Sequence, residues 1–152
     1  MATYGTFVNG VSLKAAEAND FLTWTTFTGV LKQSVTVSTS TNRCRYARVN
    51  DLVIVSIFFT VSSGGTANNR IEINLPITAA TASSRTIGFG LLRDQSALTT
   101  YLAVPVLNST TTMVFLSSSA TSLTTYVGMT NGPALQLAAD DTVNTTIVYQ
   151  AA

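Results

Sequence analysis

Histidine is missing from this sequence, and cysteine occurs once, at Cys44. Without histidine there is no Ser-His-Asp or Cys-His arrangement, no H-E-x-x-H zinc site, and no side chain whose ordinary pKa lies near neutrality. A lone cysteine makes neither an intrachain disulfide nor a thiolate cluster, so Cys44 reads as a small buried hydrophobe. Charge is scarce as well: 8 Lys and Arg and 7 Asp and Glu make 10% of the chain, where about 25% is usual. A net charge of +1 gives no general case for nucleic acid or a membrane surface as partner. Long apolar runs are lacking too. The mean hydropathy is +0.34, yet the stretches at 52–59 and 101–107 fall far short of the roughly 18 residues of a membrane helix. Residues 1–11 lack the basic start and apolar core of a secretory signal, so the chain is expected to fold where it is made. These absences point away from an enzyme, and no cofactor or metal is expected.

Hydroxyls replace the missing charge: 26 Thr and 15 Ser account for 41 of 152 residues. That length fits one domain with a genuine core. Residues 12–21 (SLKAAEANDF) carry the one convincing helix signal, with Ser12 as N-cap. Ten residues are marginal alone, so such a helix needs something to pack on. Residues 23–31 (TWTTFTGVL) set Trp24 and Phe27 among threonines, which suits an extended segment anchored by aromatics. Residues 1–31 therefore read as an arm, and 32–152 as a β domain.

From Lys32 onward, strands alternate with turns. Residues 34–40 alternate Val35 and Val37 with hydroxyls, the period-2 pattern of a half-buried strand. In residues 43–49, Arg43 and Arg45 share one face while Cys44 and Tyr46 share the other. Asn50-Asp51 makes a turn. Residues 52–61 are apolar on both faces, the best candidate for a central strand. After the loop 62–69, residues 70–75 are expected to return as its hairpin partner, closed by Pro76. Five more strands are expected at 85–92, 98–107, 111–116, 122–127 and 142–149. Pro105 argues for an edge or a bulge within the second of these. The fold class that follows is mainly β: an antiparallel β-sandwich, most simply a jelly roll, with a short N-terminal helix and an extended arm.

Candidate sites are few. Asp140 and Asp141 with Asn144 are the one carboxylate cluster, but they lack the spaced ligands and glycine of a calcium loop, so a solvated turn is the simpler reading. Arg43, Arg45 and Arg48 flank Tyr46. Asp51 follows and no lysine reinforces them, so a solvated strand face or ion pairs between subunits suit them better than nucleic acid. The segment SSGGT at 62–66 lacks phosphate-loop spacing. Asn108 and Asn144 sit in N-x-[ST] patterns expected by chance in a threonine-rich chain. Trp24, Tyr101, Tyr126 and Tyr149 could form a sugar-stacking platform, with burial in the core or an interface as the default.

A resemblance enters on particular residues. Arg45-Tyr46-Ala47-Arg48-Val49-Asn50-Asp51-Leu52-Val53-Ile54-Val55-Ser56, then Ser63-Gly64-Gly65-Thr66, then Ile71-Glu72-Ile73-Asn74-Leu75-Pro76 resembles a module of virion proteins from tailed bacteriophages, especially those of actinobacterial hosts. In that module a strand pair leads through a Gly-rich loop to a strand ending in Leu-Pro. Asn50 stands where the module usually has glycine, a change that asparagine tolerates in a left-handed turn. Tyr4 to Val11 and the segment LKAAEAN at 13–19 similarly resemble the start of small phage structural or minor tail proteins. The resemblance covers about the first half of the chain. It implies a non-enzymatic component of the virion exterior, made in the host cytoplasm: a capsid decoration or head-fibre protein, or a small minor tail protein. It further implies a homotrimer that meets major capsid or tail proteins through its arm, for which Tyr4, Phe7, Leu13, Phe21, Trp24 and Phe27 are the candidate contacts. The alternative is a host-surface carbohydrate or receptor-binding module. Thr suits strands and is buried between subunits at less cost than a charge, so the composition also predicts that much of the surface is interface.

Overall fold

The computed structural model describes residues 23–81, 87–119, 122–128 and 135–152, with backbone alone at 117–119 and 122–128. The helix expected at 12–21 lies outside these residues, as do Tyr4, Phe7, Leu13 and Phe21. The described chain is mainly β. It forms β1 (Thr25–Thr26), β2 (Leu31–Gln33), β3 (Val35–Thr36), β4 (Ser38–Val49), β5 (Leu52–Ser63), β6 (Ile71–Asn74), β7 (Gly88–Asp94), β8 (Thr99–Leu107), β9 (Thr112–Ser119), β10 (Ser122–Gly128) and β11 (Thr142–Gln150). The strands expected from residue 52 onward are present within a few residues, whereas the strand expected at 34–40 divides between β3 and the start of β4, which also takes in the one expected at 43–49. Asn50 takes a left-handed conformation with φ of 52°, as the turn between β4 and β5 requires.

All the ladders are antiparallel and join into one sheet, in the order β1-β4-β5-β11-β7-β8-β9-β6-β2-β3, with β10 beside β9. Laid flat, β1 and β2 would be eight strand spacings apart, about 38 Å. Only residues 27–30 separate them in sequence, and that length of extended chain spans no more than about 18 Å. The sheet must therefore curl, and it forms a half-barrel. A second tether acts the same way, because β3 on one margin runs through Val37 directly into β4, which lies next to β1 at the other.

Curling turns one face of β2, β4, β5, β6, β7, β8, β9 and β11 inward, onto a single core. Val53, Val55, Ile57, Phe59 and Val61 of β5 alternate inward and are fully covered, and they meet Ile71, Ile73, Leu92, Met113, Phe115, Val143 and Ile147. Tyr149 pins this core at one end: its hydroxyl donates to the Ile77 carbonyl at 2.7 Å and accepts from the Ile77 N–H at 3.3 Å. Burial pushes the Tyr149 hydroxyl up to about 12 and the Cys44 thiol from 9.0 up to about 11. Both groups hold their proton more tightly folded than unfolded, so their contribution to stability should stay level below about pH 9 and fall as the pH rises from there towards 12. A urea midpoint that does not move between pH 8 and 11 would contradict this. Tyr149→Phe should remove the upper part of the decline and cost about 1–2 kcal/mol at pH 7 for the stranded Ile77 groups.

Four expectations change. β5 and β6 are not a hairpin: β5 lies between β4 and β11, while β6 lies between β9 and β2. Both margins of β5 are occupied, so the segment at 62–69 crosses to the far side of the half-barrel. There the Gly65 N–H bonds to Leu137 O at 2.8 Å. Residues 23–31, read as arm, join the sheet: β1 pairs with β4, and Leu31 on β2 is in the core. Asp141 is buried rather than solvated, its carboxylate accepting from the Gln95 and Ala138 N–H groups at 2.8 Å each. Pro105 lies on an interior strand, but the β7 ladder stops at Gly90↔Ala103, so Pro105 pairs in register only with β9.

Candidate functional site

Strand alternation that buries one face of the sheet presents the other. Across β4, β5, β11, β7 and β8, the register aligns Arg43, Phe58, Asn144, Leu91 and Leu102 in one row. The next row carries Arg45, Ser56, Thr146 and Phe89. A third carries Ile54 and Val148, with Ala47 in register but buried, and a fourth ends at Leu52 and Gln150. Leu52, Leu91, Leu102 and Val148 are exposed, and Phe89 is 70% exposed. Scattered exposed hydrophobes need no explanation, but a contiguous patch on a sheet face marks an interaction surface. The middle of this face carries no charge. Its polar groups there are Ser56, Asn144 and Thr146, which resembles the charge-depleted centre of a protein interface.

At the β4 side the face deepens into a groove of ≈ 560 Å³ lined by Thr26, Phe27, Asn42, Arg43, Cys44, Arg45, Ser56, Phe58 and Asn144. Arg43 and Arg45 stand two residues apart on the same side of β4, as the alternation predicts. The Arg45 guanidinium lies 4.7 Å from the centre of the Trp24 ring, a cation–π contact that restricts where it points. Behind the groove, Phe27 meets Tyr46 edge to face at 6.1 Å. Among the described residues the one ion pair is Arg48 with Asp51 at 3.9 Å, both side chains well exposed; Arg48 also donates to Asn50 O at 2.6 Å. Arg48 is thus occupied within its own hairpin, and Arg43 and Arg45 are the cations left facing the groove.

The other candidates do not assemble. Tyr149 is buried and Tyr101 packs on the core, so of the three candidate rings with described side chains, Trp24, Tyr101 and Tyr149, only Trp24 is exposed, and they form no aromatic platform. Phe27 is half-buried against the core. Cys44 is buried, with a thiol pushed up rather than down, the opposite of an activated nucleophile. Among the described residues no group of three or more His, Cys, Asp or Glu is placed to hold a metal ion, and no helix is long and apolar enough to cross a membrane.

Sequence reasoning missed Phe89, Leu91 and Leu102 as surface residues. A signal was there: in Gly88-Phe89-Gly90-Leu91 the glycines occupy alternate positions, and it is the glycine side that faces a close neighbour. Gln33 was missed as well. Its amide is buried, donates to Leu135 O at 2.7 Å and Asn69 O at 3.3 Å, and accepts from the Leu137 N–H at 2.9 Å. No protein-family model, curated protein or solved structure matches this chain.

Proposed function

We propose that this protein is a non-enzymatic structural component of the exterior of a tailed-bacteriophage virion, a capsid decoration, head-fibre or small minor tail protein, that assembles as a trimer. The observation that carries the reading is the outward apolar face of β5, β11, β7 and β8. A chain that shows water Phe89, Leu91, Leu102 and Val148 on one sheet while carrying few charges is built to be covered by protein. The residues that resemble the phage module form the β4–β5 hairpin with its Asn50 turn, the crossing loop, and β6 on the far side of the half-barrel. A jelly-roll sandwich belongs to the same proposal, since a curled sheet with one inner core reaches that arrangement by flattening at its corners.

Attachment to the particle is assigned to residues 1–22, because the sheet begins at Thr25. A protein lacking residues 1–22 should keep its cooperative thermal unfolding and its number of subunits in solution, and should no longer co-sediment with particles that lack the native subunit. Undiminished co-sedimentation would remove the arm from this role. Binding of the isolated protein to host surface polysaccharide on a glycan array would instead make it a receptor-binding module.

A further inference from the structure

The most exposed large hydrophobe of the described residues is Leu98, at 74%. It projects from the β7–β8 turn in a left-handed conformation, φ 52°, which a branched side chain adopts only at a cost. Neither its packing nor its backbone gives the isolated fold a reason to keep leucine here. Beside it, Asp94 spends one carboxylate oxygen on the turn, Oδ1 accepting from Ser96 Oγ at 2.8 Å and from the Ala97 N–H at 2.9 Å. Those bonds hold its carboxyl below the usual range, so it is ionised. No cation pairs with it among the described residues. The turn is therefore an apolar knob with a carboxylate at its base, and Arg93 next to it points to the opposite face of β7 by strand alternation.

The groove beside β4 has the complementary chemistry: an apolar floor at Phe58 and two guanidinium groups, Arg43 and Arg45, that meet no acid among the described residues. Knob and groove cannot meet within one molecule. β7 lies three strand spacings from β4, about 14 Å, and its register with β8 and β11 holds the turn in place. We infer that the β7–β8 turn of one copy docks into the β4 groove of the next, Leu98 against Phe58 and Asp94 between Arg43 and Arg45. This rests on the reading that the chain assembles with itself, and adds which surfaces meet. Such a contact is head-to-tail, so it closes into a ring when the rotation between copies allows. The Trp24 ring would hold Arg45 in position, and the carboxylate would fix the register.

The test is the solution mass of the full chain by light scattering over a concentration series, with three variants chosen to leave the fold intact. Leu98→Gly suits the left-handed backbone, so its melting temperature should equal or exceed that of the parent. Asp94→Asn keeps the acceptor of the turn and removes the charge. Arg43→Gln with Arg45→Gln removes the paired cations from an exposed surface. Each should weaken association by about tenfold or more, and added salt should weaken the parent in the same direction. A parent that assembles while all three variants assemble equally well overturns this contact and leaves self-assembly standing. The contact is equally overturned if removing residues 1–22 dissociates the assembly and Leu98→Gly does not, since the groove would then hold the arm. A parent that stays monomeric at every concentration overturns both.

Discussion

Replacing Gly90 with alanine should cost about 3–5 kcal/mol, and Gly88→Ala at least as much. A Cβ at residue 90 would lie 2.5 Å from the Asn144 carbonyl oxygen and 2.7 Å from the Thr145 Cβ. At residue 88 it would collide with the Thr146 carbonyl oxygen and reach 3.0 Å from the Ile147 Cα. At each position the nearest obstacle is a backbone carbonyl oxygen of β11, a strand held on its other margin by nine residues of register with β5, so a side-chain rotation does not relieve the clash. This reverses the usual sign, since glycine to alanine in a strand normally stabilises. The close approach also lets the buried Thr145 hydroxyl donate to Phe89 O at 3.0 Å. Separating β7 from β11 would break that bond and tilt Phe89 and Leu91 out of their rows. A thermal melt checks it: a fall of roughly 10 °C or more is expected for a domain of this size, and Gly90→Ala melting within about 2 °C of the parent would refute the packing argument.

Gln33→Leu should cost about 3 kcal/mol although it makes a buried position more apolar. The amide satisfies two carbonyls and one N–H from segments distant in sequence: Asn69, Leu135 and Leu137. Leucine would leave the buried Leu135 carbonyl and Leu137 N–H without partners, at about 1 kcal/mol or more each, and would also lose the bond to the part-buried Asn69 carbonyl. Gly65 belongs to the same clamp, because a Cβ there would sit on the Gln33 side-chain oxygen. Gln33→Glu gives a signature that packing loss cannot mimic. Its carboxylate would face carbonyl oxygens out of water, raising its folded pKa above the unfolded value, so stability present at low pH is lost as the pH rises through the folded pKa. Denaturant midpoints for Gln33→Glu should therefore be higher at pH 5 than at pH 8 relative to the parent. Equal differences at the two values would show that the amide does no more than fill space.

Much of the fold is legible without the structure, and the reason is local. The alternation of Val35 and Val37, the opposite faces of Arg43 and Cys44, and the left-handed Asn50 all follow from backbone geometry within a few residues. The candidate site is half legible. Arg43 and Arg45 read from the sequence as cations on one strand face suited to ion pairs between subunits. Their separation from Arg48 follows from the same alternation, which puts residue 48 on the other face of β4, whereas the pairing of Arg48 with Asp51 is seen only in the structure. Gln33, between Lys32 and Ser34, looks like an ordinary surface residue because the segments it clamps lie 36 and 104 positions away.

What the amino-acid sequence determined by itself was the chemistry excluded by missing histidine and a single cysteine, the strand positions, and which side chains share a strand face. The tertiary structure alone decided that β5 pairs with β11 instead of β6, that residues 23–31 close the sheet, and that Phe89, Leu91 and Leu102 point outward. Side-chain alternation is dictated by each strand's own backbone, whereas the choice of partner is settled only when distant segments compete for the same strand margins. In this chain the competition is resolved by short tethers between opposite margins of the sheet and by glycines that admit one neighbour closer than any other.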